Sequence, residues 1–192
     1  MRYSALLLDV GYVIIDVTWR AVDALGRATG RTMPEPGDMK PTPAYWDKVA
    51  ADAGFDGFTE LFRALCATVP EEVIDPAPIA LLSDARAAGL RTGVLSNDAY
   101  TFIGREFFAA RQEFAELDAF IDASEIGVSK PNAEAYLRAA TALGVEPKEV
   151  VFLDDTSECV DGAERVGMAA VLVDPFDKTP AFDRARELLR LS

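Results

Sequence analysis

LLLDVGYVII, residues 6–15, places an aspartate at the end of an apolar run. A strand buried on both faces reads as an unbroken apolar run, whereas a half-exposed strand alternates. Four later runs have the same character: RTGVLSN (91–97), AFIDAS (119–124), EVVFLDD (149–155) and AAVLVDP (169–175). Helical patterns separate them. IALLSDARAAG, NAEAYLRAATALG and SECVDGAERVG close on Gly89, Gly144 and Gly167, where a helix C-terminus favours a residue able to take positive φ. Strand and helix in alternation predict an α/β, Rossmann-like, doubly wound parallel sheet.

Between about Asp16 and Asp75 the alternation stops. TWRAVDALGRATG (18–30) and FTELFRALCATV (58–69) have helical spacing, with Trp19, Val22 and Leu25 on one face and Phe58, Leu61, Phe62, Leu65, Cys66 and Val69 on the other. MPEPGDMKPTP (33–43) reads as a connector and DPAP (75–78) as an exit. The expected organisation is a core of residues 1–15 and 76–192 with a small helical insertion over 16–75.

Composition narrows the function. The 192 residues are 50% hydrophobic, enough for a full core, and 32 acidic residues against 19 basic ones give a charge of −13. So negative a chain lacks the basic surface that binds nucleic acid or anionic membrane. Cys66 and Cys159 have no metal-ligand or disulfide spacing, and no apolar run approaches the ~20 residues of a membrane span, which predicts a cytoplasmic protein. Histidine is absent, so Ser-His and Cys-His mechanisms are excluded.

Three strand-like runs end in polar residues: Asp9, Ser96-Asn97 and Asp154-Asp155. In an open parallel sheet the carboxyl ends of the strands line the ligand crevice. Each residue alone has a plainer reading: Asp9, Ser96 and Asn97 as turn or helix caps, Lys130 as a solvated lysine. Together they differ, because gathered carboxylates repel one another unless a cation joins them, and oxygen-only ligands suit Mg2+. Lys130 adds positive charge at what reads as a helix start, with Pro131 at the first helical position. Asp16 reads as the N-cap of the helix beginning near Thr18, with a substitute acid near the site as the alternative.

The series Asp9, Ser96-Asn97, Lys130-Pro131 and Asp154-Asp155 resembles the four motifs of the haloacid dehalogenase (HAD) superfamily. DVGYVIIDVTW (9–19) is most similar to its small-capped branch related to α-glucose-1-phosphatase. The resemblance implies a Mg2+-dependent phosphatase for a small phosphorylated metabolite such as a sugar phosphate. Asp9 would be the nucleophile, and Ser96, Asn97 and Lys130 would bind the phosphoryl group. Asp9, the Gly11 carbonyl and Asp155 would hold the metal, with Asp154 close by. Two positions depart from the family pattern: Gly11 stands where a general-acid aspartate is usual, and Cys159 where an outer metal-shell Asn or Asp is usual. Two alternatives follow, a metal-independent dehalogenase and a non-catalytic binding protein. Trp19, Tyr45 and Trp46 are the aromatic candidates for substrate contact in the insertion, with core packing expected of Trp19.

Overall fold

The computed structural model describes residues 3–34 and 43–191; most of the Pro- and Gly-rich connector lies outside them. Strands β1 (Ala5–Leu8), β2 (Arg91–Ser96), β3 (Ala119–Asp122), β4 (Val150–Asp154) and β5 (Ala169–Leu172) form one sheet in the order β3-β2-β1-β4-β5. Every pairing is parallel. The Rossmann-like expectation holds.

The central strand explains its own composition. All four residues of β1 are buried; Leu6 and Leu8 enter one core cluster, while Ala5 and Leu7 enter a second on the opposite face. Period-two alternation therefore sends each leucine into hydrocarbon, each contributing about 1.5–3 kcal/mol on burial.

Helices α1 (Trp19–Thr29), α2 (Pro43–Asp52), α3 (Gly57–Thr68) and α4 (Pro70–Val73) lie between β1 and α5 (Pro76–Ala87). Three short helices, α6 (Ala99–Phe102), α7 (Arg105–Ala109) and α8 (Gln112–Ala115), join β2 to β3. Beyond it come α9 (Ala123–Ile126), α10 (Ala133–Leu143), α11 (Ser157–Arg165) and α12 (Thr179–Leu189). Among the described residues no strand occurs from 16 to 75, and no helix is long and apolar enough to cross a membrane.

The ends of the helical segment are joined at one place. Asp16 N donates to Val73 O at 2.8 Å, and Asp75 N donates to Ile14 O at 2.9 Å. Two caps differ from expectation. Thr18, not Asp16, caps α1 through Oγ1 accepting from Ala21 N, and Asp16 instead pairs with Lys178 at 3.1 Å. Pro131 does not start α10: Asn132 is the N-cap, its Oδ1 accepting from Glu134 N, so Pro131 precedes the cap.

Candidate functional site

The parallel register fixes where the polar residues arrive. Leu8 pairs with Val94 on one side and Leu153 on the other, so Asp9 emerges level with the end of β4 and beside that of β2. Asp9, Asp154 and Asp155 each place a carboxylate oxygen within 4.8 Å of the other two.

Lys130 enters this cluster from the β3–α10 connection. Its Nζ donates to Asp9 Oδ1 and Asp154 Oδ2, both at 2.6 Å, and its side chain is 2% exposed. Two contacts place it. Asn97 holds the Lys130 backbone on both sides, Oδ1 accepting from Lys130 N at 2.8 Å and Nδ2 donating to Lys130 O at 3.2 Å. Gly162 on α11 lets the loop come close, because a Cβ there would meet Pro131 O at 2.9 Å and the Tyr136 hydroxyl at 2.7 Å. The Asn97 side chain is thus committed to positioning Lys130.

One lysine against three carboxylates leaves an excess of two negative charges. Burial pushes the Asp9 carboxyl up to about 6, Lys130 opposing and Asp154 adding to the rise. Burial, then the charge of Asp154, likewise pushes Asp155 up to about 6. Desolvation alone would lower Lys130, but its two aspartate partners outweigh it and hold the ammonium above its ordinary range. Asp154 is the most enclosed acid: Oδ2 accepts from Lys130, and Oδ1 accepts from Thr156 N at 2.9 Å. Asp155 is only half-buried. The donor set is oxygen only, and its charge excess matches a divalent hard cation, so these residues fit Mg2+.

Ser96, at the end of β2, is buried and its Oγ accepts from Ala99 N at 3.1 Å. Gly11 is exposed, and a Cβ there would meet only Asp9 Oδ2 at 3.8 Å; its φ lies outside the left-handed region, so the backbone does not demand glycine. Cys159 lines the cavity, but burial and the nearby Asp154 push its thiol up to about 11, which suits an inert wall better than a nucleophile. Cys66 is buried on α3, and desolvation pushes its thiol up to about 12.

A cavity of about 470 Å³ opens over the acids, with Asp9, Gly11, Ser96, Asn97, Lys130 and Asp155 in its lining. Tyr45 and Trp46 do not reach it. They are buried in an aromatic cluster with Trp19, ring centroids 5.2–6.1 Å apart, so the expectation that they are candidates for substrate contact is corrected. Other aromatic residues take their place: Tyr12, Phe58, Phe62 and Phe102. Tyr12 has φ 52°, a left-handed conformation that costs a non-glycine residue roughly 1–2 kcal/mol, inside a turn closed by Tyr12 N donating to Ile15 O at 2.8 Å. The sequence signal available for Tyr12 was its position three residues after Asp9.

A family model for haloacid dehalogenase-like hydrolases matches residues 20–167. The chain belongs to the haloacid dehalogenase-like hydrolase family. Among its relatives, Phosphatase MT3486 of Mycobacterium tuberculosis (strain CDC 1551 / Oshkosh) is 36% identical over 98 residues, 51% of this chain and 45% of the relative. The match therefore spans about half of each protein. (S)-2-haloacid dehalogenase 1 of Pseudomonas sp. (strain CBS-3) is 28% identical over 134 residues, 70% of this chain and 59% of that one. The fold is shared with a HAD family enzyme of Bacteroides thetaiotaomicron solved with magnesium and inorganic phosphate: TM-score 0.56, 18% identity, 91% of this chain and 96% of that one.

Proposed function

We propose that this HAD hydrolase is a Mg2+-dependent phosphatase for small phosphomonoesters, with Asp9 as the nucleophile. The carrying observation is the Lys130 ammonium held at 2.6 Å between Asp9 and Asp154, with Asp155 completing an acid cluster of excess negative charge. The phosphatase name of the Mycobacterium tuberculosis relative, and the magnesium and phosphate held by the Bacteroides structure, agree with that reading.

In the proposed mechanism the carboxylate of Asp9 attacks phosphorus, forming an Oδ–P bond as the P–O bond to the leaving alcohol breaks. Lys130 keeps Asp9 ionised and offers positive charge to the transferring group. The Ser96 hydroxyl donates to a phosphoryl oxygen, and Asn97 acts by fixing Lys130. Gly11 provides no proton, so the leaving oxygen is protonated by water. Water then attacks the phosphoaspartate and releases inorganic phosphate, restoring Asp9.

Asp9, Asp155 and the Gly11 carbonyl would hold Mg2+, with Asp154 orienting Lys130 behind them. When bound, the ion neutralises the acids and the phosphoryl group. The helical segment over 16–75 serves as the cap above the site.

The decisive assay follows phosphate release from p-nitrophenyl phosphate with and without Mg2+, alongside chloride release from 2-chloropropionate. Release of phosphate only with Mg2+ supports the proposal. Metal-independent chloride release would instead establish the dehalogenase alternative, and neither product the non-catalytic one.

A further inference from the structure

The cavity has two chemically distinct parts. Its polar lining comes from residues at and just after the ends of β1, β2 and β4 and from Lys130: the groups already assigned to phosphate and metal, with Asp98 and Thr156 beside them. The opposite wall is hydrocarbon: Val17, Phe58 and Phe62 from the helical segment and its entry, and Phe102 and Ile103 from the end of α6; Tyr12, from the loop after β1, lines the cavity as well. Phe58 and Phe62 stack with centroids 5.5 Å apart and planes at 21°, presenting a broad ring surface, and Phe58, Phe102 and Ile103 are only half-buried.

Such a wall cannot satisfy a polyol. Each sugar hydroxyl brought against it leaves water without gaining a partner, whereas an apolar ring loses only unfavourable hydration. Lys130 is the one cation lining the cavity among the described residues, and it is already paired with two carboxylates. A second phosphate or carboxylate on the substrate would therefore meet no free positive charge.

Resting on the phosphatase reading above, we infer that the substrate is a monophosphate ester of an apolar, ring-bearing alcohol, its hydrocarbon part seated on the Phe58, Phe62, Phe102 and Ile103 wall. This departs from the sugar phosphate implied by resemblance to the small-capped branch. Tyr12 lines the same cavity.

The test compares 2-phenylethyl phosphate with glucose 6-phosphate, using the full chain with Mg2+. Both release a primary alcohol, so leaving-group chemistry favours neither strongly. We expect kcat/KM at least about tenfold higher for the phenylethyl ester, expressed mainly in KM, as expected for an apolar pocket. Phe58→Ser should cut that ratio several-fold and Phe58→Leu should preserve most of it. Equal rates, or preference for glucose 6-phosphate, would overturn the inference while leaving the phosphatase reading intact. If neither ester nor p-nitrophenyl phosphate is cleaved, the phosphatase reading fails and binding decides the inference. In calorimetry with Mg2+, 2-phenylethylphosphonate should bind at least about tenfold tighter than methylphosphonate, and equal affinities would overturn it.

Discussion

Two lysines in this molecule sit between two aspartates each, yet they serve opposite ends. Lys130 joins Asp9 to Asp154 at 2.6 Å on both sides, with side chains 2%, 12% and 1% exposed. Lys178, just before α12, joins Asp16 to Asp75 at 3.1 Å on both sides, with exposures of 9%, 18% and 24%. The second cluster spends its groups on the fold: Asp75 also caps α5 by accepting from Ala77 N, and both acids sit where the helical segment meets the core. At Lys130 a third acid, Asp155, adds negative charge beyond what the lysine balances, and the cluster faces a cavity. Three carboxylates within joint reach of one ion separate the candidate site from the joint, where Asp16 and Asp75 have no third acid in such reach among the described residues.

The sharpest way to break that distinction is to remove the nucleophile. Asp9→Asn should lower turnover of p-nitrophenyl phosphate by on the order of 10^4-fold or more, since the amide cannot form the covalent intermediate. The near-isosteric change should keep the circular dichroism spectrum unchanged. Activity within tenfold of wild type would place the chemistry elsewhere.

Lys130→Met comes next. Loss of charge stabilisation should cost on the order of 10^2- to 10^3-fold in kcat. It also strands Asp9 and Asp154, so stability at pH 7 should fall by about 3–5 kcal/mol without metal, as expected when one partner of a buried pair is deleted. Urea denaturation should show part of this loss recovered at pH 5, where the raised carboxylates take up protons.

How much of this could be read in advance depends on range. Asp9, Ser96 and Asp154 stood out because each interrupts an apolar run at the end of a strand, and parallel pairing then carries strand ends to one edge. Lys130 needed the surrounding motifs, for nothing local distinguishes it from a surface lysine. Lys178 carried no signal at all, because its partner Asp75 lies 103 residues away. Helical periodicity grouped Phe58 and Phe62 on one apolar face, but not what that face would meet, so core packing looked sufficient. Tyr45 and Trp46 show the mirrored case: aromatic rings after a proline-rich connector suit substrate contact, yet three such rings gain more by packing together. Tertiary contact, which no window of sequence encodes, decided each of these.

Metal and pH sharpen the contrast between the clusters. Asp9 and Asp155 lie at about 6 in the metal-free protein, above the usual 3.8. A raised carboxylate pKa means the folded state binds more protons than the unfolded state between those values, so metal-free stability should fall as pH rises from about 4 to 6. Mg2+ takes the ionised form and should offset that loss. The Tm increase from saturating Mg2+ should therefore be larger at pH 7 than at pH 5, and equal increases would place the ion away from these acids.

Gly11→Asp should have a smaller and selective effect. The backbone admits a side chain, since a Cβ meets only Asp9 Oδ2 at 3.8 Å. With no acid at this position, wild-type rates over aryl phosphates should drop steeply as the leaving-group pKa rises. A carboxyl at residue 11 should raise the rate for the poorest leaving groups by on the order of 10^2-fold, the modest end of general-acid catalysis, and leave p-nitrophenyl phosphate nearly unchanged. A flat wild-type dependence, with chemistry rate-limiting, would mean that another group already donates the proton.

Lys178→Met should have the least effect on catalysis. Removing the ammonium leaves Asp16 and Asp75 facing each other without a cation, but both retain some contact with water, so the cost should be about 1–3 kcal/mol, less than at Lys130. For a chain of this size that is a Tm drop of roughly 2–12 °C. The joint it loosens lies between Ile15 and Val17, both of which line the cavity, while Asp9 and Asp155 directly follow β1 and β4 and Lys130 is held in the connection before α10. Loosening should therefore raise KM for an apolar ester a few-fold and leave kcat within about twofold. If kcat instead fell as far as in Lys130→Met, the two clusters would have to be coupled, and Lys178 would belong to the chemistry it otherwise only supports.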